Sequence, residues 1–261
     1  MSVHVESTGR GRPLVMLHGW GMHSGLWSPL LPRLTERYRL HLVDLPGHGY
    51  SDALAPPLSL RKIVEAVALA ITETSVPDPL MIFGWSLGGQ VALEWARLHP
   101  ERIGALVLMS TTPSFVQRAD WPHAMTETTL RQFADELRVA HRPTLQRFVT
   151  LQVQGSEHAR EVLASLRSQL FARGEPSPQA MCDSIELLAS SDLRPEIGVI
   201  SQPALVIAGD RDTITPVAAS RWLAGALPNA SLTVVPGAAH APFLSHPDAV
   251  VAALDAFAEG K

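Results

Sequence analysis

The sequence predicts an α/β protein, a mostly parallel sheet flanked by helices. Short apolar runs alternate with stretches of helical periodicity, the pattern of consecutive βαβ units. The alternation breaks once, between about 113 and 190, where helical patterning continues without strands. With 46% hydrophobic and 18% charged residues among its 261, the chain can bury one large core. Parallel sheets of this length are routinely single units.

Residues 1–6 read as strand-like and carry neither a basic nor an apolar segment, so no signal peptide is expected. Leu14–Leu17, Leu40–Val43, Leu80–Phe83, Ala105–Met109, Ala204–Ala208 and Leu232–Val235 read as strands. Each is short and almost wholly apolar, as strands covered on both faces must be. Leu60–Ile71 reads as a helix, with apolar residues at Ile63, Val64, Val67, Leu69, Ala70 and Ile71. Gly88–Leu98 is a second helix, ended by His99-Pro100. Arg221–Leu227 and Ala249–Phe257 are two more.

Within the break, Leu130, Phe133 and Leu137, then Leu145, Phe148 and Val149, then Val162, Leu163, Leu166 and Leu170 mark helices. Pro143, Gly155, Gly174, Pro176 and Pro178 punctuate them. The expected organisation is a core of 1–112 and 191–261 with an all-helical lid of 113–190, inserted before the last two strands. Such an insertion sits above the carboxyl ends of the strands, where these sheets bind ligands.

Composition excludes several functions. A net charge of −4 gives no support for nucleic-acid binding. No apolar run approaches the roughly 18 residues of a membrane span. The single cysteine, Cys182, rules out an internal disulfide and suits a reducing compartment. It falls on a helical stretch without a glycine turn and reads as packing. Lys62 and Lys261 are the only lysines, so positive charge is nearly all arginine.

Chemistry enters at Gly84-Trp-Ser-Leu-Gly-Gly89, between a strand and a helix. This is the G-x-S-x-G nucleophile turn in its required context, and it makes Ser86 the candidate nucleophile of an α/β-hydrolase fold. The serine occupies a sparsely populated backbone conformation costing about 1–3 kcal/mol. Gly84 and Gly88 let neighbouring chains close around it without Cβ clashes. The exposed Oγ then stands at a helix N-terminus, where developing negative charge is favoured.

Eleven histidines compete for the role of base. His240 follows a strand and a Gly/Ala loop, the place of the base in this fold. His18, His48 and His99 lie in tight turns and read as structural, while His246 reads as a cap of the last helix. In chain order the acid follows an earlier strand. Asp212 stands in the G-x-x-D position after Gly209, whereas Asp210 reads as a buttress of the loop. Its role is to hold the neutral imidazole tautomer and stabilise the imidazolium. The oxyanion hole falls to the backbone N–H groups of Leu87 and Trp20, each such donor being worth about 2.7–4 kcal/mol of barrier. The Trp20 ring is placed to wall the acyl pocket.

An aspartate would replace Ser86 in dehalogenases and epoxide hydrolases of this fold. Metal-ligand spacings and a dinucleotide glycine motif are absent. The residues alone leave a general short-chain carboxylesterase and a C–C bond hydrolase open, with a non-catalytic receptor as a third class.

The chain resembles the pimeloyl-[acyl-carrier protein] methyl ester esterases of biotin synthesis over nearly its full length. The likeness runs through Leu17-His-Gly-Trp-Gly21, His41-Leu-Val-Asp-Leu-Pro-Gly-His-Gly49 and the Ser86 turn. It continues through His99-Pro-Glu-Arg102, Arg147-Phe-Val-Thr-Leu-Gln152 and Gly237-Ala-Ala-His-Ala-Pro-Phe-Leu-Ser-His-Pro247. The lid stretch and the His240 stretch are the selective ones. The resemblance implies a serine carboxylesterase that hydrolyses the methyl ester at the far end of a carrier-bound pimeloyl chain. It implies substrate contacts at Trp20, Ser86, Leu87, Phe148, Val149, Thr150, Leu151, Gln152 and His240. Lid arginines of that family dock an acidic acyl-carrier protein, and Arg147 and Arg160 match such positions. Two further basic positions fall on Pro143 and Ala164, with Arg142 and Arg167 nearby. Between Arg138 and Arg173 six arginines face two acids, Glu157 and Glu161, which suits an acidic partner. No cofactor, metal, nucleic acid or membrane is expected, and a cytoplasmic monomer is the expected form.

Overall fold

A computed structural model describes residues 2–260. Seven strands form one sheet: β1 (Val5–Gly9), β2 (Arg12–Leu17), β3 (Tyr38–Val43), β4 (Leu80–Trp85), β5 (Ile103–Met109), β6 (Ala204–Gly209) and β7 (Ala230–Val235). Their spatial order is β1-β3-β2-β4-β5-β6-β7. Only β1 runs antiparallel, against β3; every other pairing is parallel. The six expected strands are present, each extended by one or two residues at one end. Most of the added pairs contain a polar residue, a proline or a glycine, such as Arg12-Pro13, Arg39 or Gly104, which interrupts an apolar run.

The chain passes from β2 to β3 on one side and to β4 on the other, so the sheet reverses direction at β2. Loops leaving β2 and β4 therefore diverge, opening a crevice at their carboxyl ends. The register brings Leu17 beside Gly84, Trp85 beside Met109, and Gly209 beside Val235. The loops that follow these residues emerge along one edge.

Helices α1 (Leu31–Leu34), α2 (Leu60–Glu73), α3 (Leu87–Leu98), α8 (Val217–Ala226) and α10 (Pro247–Glu259) belong to the core, with the short α9 (Pro242–Ser245) before the last. Ser59 caps α2, its Oγ accepting from the Lys62 N–H at 3.2 Å. That helix buries Leu60, Ile63, Val64, Val67 and Ile71 but leaves Leu69 exposed, so Leu69 does not belong to the buried stripe. Helix α8 begins four residues ahead of the expected Arg221; Pro216 precedes it and small residues fill its first turn. His246 occupies the position before α10, yet its ring pairs with Ser245 Oγ (2.8 Å) and makes no capping bond to the helix.

The insertion between β5 and β6 is helical: α4 (Glu127–Val139), α5 (His141–Leu151), α6 (Ala159–Gln169) and α7 (Pro178–Ser190). Leu130 and Leu137, Leu145 and Val149, Val162 and Leu166, and Met181 and Ile185 turn inward and give it a core. Pro143 is tolerated because it stands in the first turn of α5, where its missing N–H has no helical partner. Cys182 is buried on α7, as expected of a packing residue. The two ends of the insertion meet where the Leu193 N–H donates to Pro113 O at 2.9 Å.

A second anchor is ionic. Arg173, in the turn after α6, donates to Asp44 (3.1 Å), Ser24 Oγ (3.0 Å) and Glu6 (2.9 Å). Asp44 is fully buried beyond β3 and also accepts from the Ser24 and Tyr50 N–H groups. Replacing Arg173 with Met strands this carboxylate, and the expected cost is about 3 kcal/mol, the penalty of unpairing a buried charge. Denaturant titration measures it; a loss within error would show that the two backbone donors suffice.

Candidate active site

Three backbones close on the turn after β4. Ser86 has φ 55° and ψ −117°, a conformation that side-chain-bearing residues seldom adopt. A Cβ at Gly84 would stand 2.4 Å from Gly88 O, and one at Gly88 would stand 2.2 Å from Leu17 O. Glycine is the only residue either position accepts. Gly19 lies against the same turn, its would-be Cβ 3.2 Å from Ser86 Cβ. Thr111 locks the turn from β5, its hydroxyl donating to Ser86 O at 2.7 Å.

Asp212 and His240 come together beyond β6 and β7. His240 Nδ1 lies 2.8 Å from Asp212 Oδ2. Asp212 also accepts from Ile214 N–H and Thr215 N–H (both 2.9 Å) and from the Thr215 hydroxyl (2.8 Å). Four donors suit an ionised carboxylate, so Nδ1 carries a proton and Nε2, on the far edge of the ring, is left as the basic nitrogen. His240 is held to the nucleophile turn by its carbonyl, which accepts from Trp85 Nε1 at 2.8 Å. The Trp85 ring sits 5.6 Å from the imidazole, centroid to centroid. Asp210 instead buttresses the loop, accepting the Gly237 N–H at 2.8 Å.

The backbone N–H groups of Leu87 and Trp20 make no hydrogen bond within the described residues. Leu87 opens α3, so its N–H has no helical acceptor. Trp20 is aimed by its neighbour. The Leu45 N–H donates to His18 Nε2 (2.9 Å), which leaves His18 Nδ1 to donate to Gly19 O (2.8 Å). A planar trans peptide then points the Trp20 N–H the opposite way from that carbonyl. Burial, with help from His48, pushes the His18 pKa down to about 3, so the ring stays neutral. His48 packs 5.3 Å from it and is pushed to about 4, chiefly by burial.

Over Ser86 lies a narrow slot of about 60 Å³, walled by Trp20, Phe115, Leu130, Phe133, Phe148 and Leu151 among others. Apart from Ser86, Thr129 is the one polar residue of its wall. The Trp20 ring is fixed there by Nε1 donating to Ser184 Oγ at 2.8 Å. Of the expected 148–152 stretch, Phe148 and Leu151 line the slot. Val149 is buried in the lid core and Thr150 is exposed, its hydroxyl turned back to Gln146 O, because successive residues of a helix face different ways. Gln152 is buried, and its carbonyl accepts the His240 N–H at 3.1 Å.

The lid arginines divide in two. Arg142 pairs with Glu175 (3.4 Å) and covers the Phe171 ring, and Arg147 pairs with Glu136. Arg160 and Arg167, exposed on α6 and seven residues apart, have no acidic partner among the described residues. Glu136 and Glu175 lie just outside the 138–173 window, which is why the excess of positive charge there overstates what is free. No group of three metal-ligating side chains comes together among the described residues, and no helix there is long and apolar enough to cross a membrane.

A profile of the alpha/beta hydrolase fold matches residues 12–247. The chain is 46% identical over 255 residues to the pimeloyl-[acyl-carrier protein] methyl ester esterase of Nitrosomonas europaea, covering 98% of this chain and 99% of that protein. It belongs to this esterase family. A second member, from Nitrosospira multiformis, is 43% identical over 260 residues, covering 99% of this chain and 98% of its own. Among solved structures, a bromoperoxidase from Bacillus anthracis overlays with a TM-score of 0.91 at 22% identity, covering 98% of this chain and 95% of that one. An esterase from Exiguobacterium antarcticum overlays at 0.88 and 23% over the same shares. These two establish the fold; the full-length relatives establish the esterase family.

The buried histidines beside the Trp20 loop should make the protein acid-labile. Below pH 6.5 the unfolded chain takes up protons that His18 and His48 refuse until about pH 3 and 4. Their contribution is therefore complete above pH 6.5 and declines as pH falls. Thermal melts should show Tm dropping from pH 6.5 to 4.5, and His48→Gln should flatten that slope. An unchanged slope would acquit His48.

Proposed function

We propose that the chain hydrolyses the methyl ester of pimeloyl-[acyl-carrier protein] methyl ester, releasing methanol and pimeloyl-[acyl-carrier protein] for biotin synthesis. Full-length likeness to esterases of that name supports the substrate. The chemistry rests on one observation: an Asp212–His240 pair at 2.8 Å beside a serine held in a strained turn under two free N–H groups.

Ser86 Oγ attacks the ester carbonyl as His240 Nε2 takes its proton, and the Trp20 and Leu87 N–H groups hold the oxyanion. Collapse expels methanol, which receives the proton from His240. Water, deprotonated by His240, then attacks the acyl-enzyme, and Ser86 leaves with its proton restored. Asp212 stabilises the imidazolium in both halves.

The slot supports a neutral reacting end. A methyl ester enters walls of Phe115, Phe133, Phe148 and Leu151 without loss of charge solvation, whereas the carboxylate product faces no cation there. Burying an unpaired carboxylate is strongly unfavourable, so hydrolysis itself drives the product out. The carrier thioester lies at the other end of the chain. Docking at the lid would fix the reach so that only the distal ester arrives at Ser86.

For docking, Arg160 and Arg167 are the better candidates, because Arg142 and Arg147 are already engaged by Glu175 and Glu136. The reading includes a cytoplasmic monomer, supported by one free buried cysteine and by exposed apolar residues that sit on separate elements, such as Leu69, Val139 and Trp222.

With methyl pimeloyl-carrier protein as substrate, methanol and intact pimeloyl-carrier protein are the expected products. Free pimelate monomethyl ester and carrier thiol would overturn the assignment. Ser86→Ala should lower kcat by about 10⁶. Arg160→Glu with Arg167→Glu should raise KM for the carrier substrate and spare p-nitrophenyl butyrate, and Arg142→Glu should do so less. Equal losses on both substrates would argue against docking on α6.

A further inference from the structure

The α5–α6 connection of the lid lies directly on the loops that carry the acid and the base. The His240 N–H donates to Gln152 O (3.1 Å), and the Glu157 N–H donates to Gly237 O (3.0 Å). Arg211, immediately before Asp212, donates to Gly155 O and to Glu157 Oε1, both at 3.0 Å. Its own N–H donates to Ala238 O at 2.9 Å. At Gly237 the fit is close: a Cβ there would stand 2.5 Å from the Glu157 carboxylate carbon. One short lid segment thus holds residues 211, 237 and 240.

We propose that residues 152–157 form a latch through which the seated lid sets the position of His240, with Arg211 and Glu157 as positioning residues. The proposal rests on the reading of His240 as the base. The slot over Ser86 holds only about 60 Å³, too little for an acyl chain with its methyl ester, so the lid must shift when substrate enters. Because the His240 N–H is bonded to the lid, that shift either breaks the latch or carries the base with it. An error of one ångström in a reacting group costs about a hundredfold in rate. The base is therefore in register with Ser86 only when the lid is down, and catalysis waits for closure over the acyl chain. Arg211 and Glu157 are both about half exposed, with side chains at 46% and 54%. An ion pair so placed adds little to stability, so its loss should be felt in turnover. Helix α6, with Arg160 near its start, begins two residues beyond Glu157. A carrier protein docked there would press on the same segment.

The test compares Arg211→Ala, Glu157→Ala, their double variant and Glu157→Gln on p-nitrophenyl butyrate. Rates are normalised to active sites titrated with a fluorophosphonate. Each alanine variant should lower kcat per titrated site about tenfold with KM nearly unchanged. The double variant should be no worse than either single one, because both break one network. Glu157→Gln keeps an acceptor for Arg211 and should restore turnover. Unchanged kcat per site, a loss confined to KM, or a glutamine variant as impaired as the alanine would overturn the latch. His240→Ala serves as the separate control. If it retains turnover the assignment of the base fails; if it is inactive while the latch variants are normal, only the latch fails.

Discussion

Everything at the site depends on how closely three backbones approach around Ser86. The end of β2, the end of β4 and the first turn of α3 meet with carbonyls where side chains would stand, at 2.2–2.4 Å from the missing Cβ atoms of Gly88 and Gly84. That contact strains the serine backbone, and Gly19, whose carbonyl shares a peptide with the Trp20 N–H, packs against the same turn. The sheet reversal at β2 opens a crevice beside this contact, because loops leaving neighbouring strands in opposite directions leave a gap between them. Trp85 then extends the order outward by holding the His240 carbonyl.

Charge is used sparingly around this point. Asp212 is saturated by four donors, while His18 and His48 are kept neutral by burial. The slot wall is apolar but for Thr129 and Ser86. In the proposed reaction, charge on the oxyanion would meet the Trp20 and Leu87 N–H dipoles in an apolar setting, where such dipoles act most strongly. Within the insertion, the arginines without an acidic partner among the described residues, Arg160 and Arg167, lie on the exposed face of α6.

The parallel sheet and the helical insertion were legible because apolar runs and helical stripes report burial directly. So were Ser86, Asp212 and His240 as candidates, since each stands at a fixed offset from a strand end. Less was legible where the partner is distant in sequence. Thr215, which bonds Asp212 beside His240, carries no local mark. The aiming of Trp20 by His18 needs the Leu45 N–H to choose the tautomer, and a turn histidine looks the same without it. The state of Arg142 and Arg147 depended on Glu175 and Glu136, which tertiary packing alone brings near. In the 148–152 stretch, resemblance named five residues in a row where helical geometry lets only some reach the slot.

The clasp between Pro113 and Leu193 gives the insertion its stem: the chain departs and returns beside a 2.9 Å bond at the rim of the sheet, and Arg173 and residues 152–157 tie the rest of it to the core from above. What grows above that stem exerts no leverage on the strand order beneath. A canopy rooted in this way can change in length or surface at its exposed turns without altering the order of the strands below.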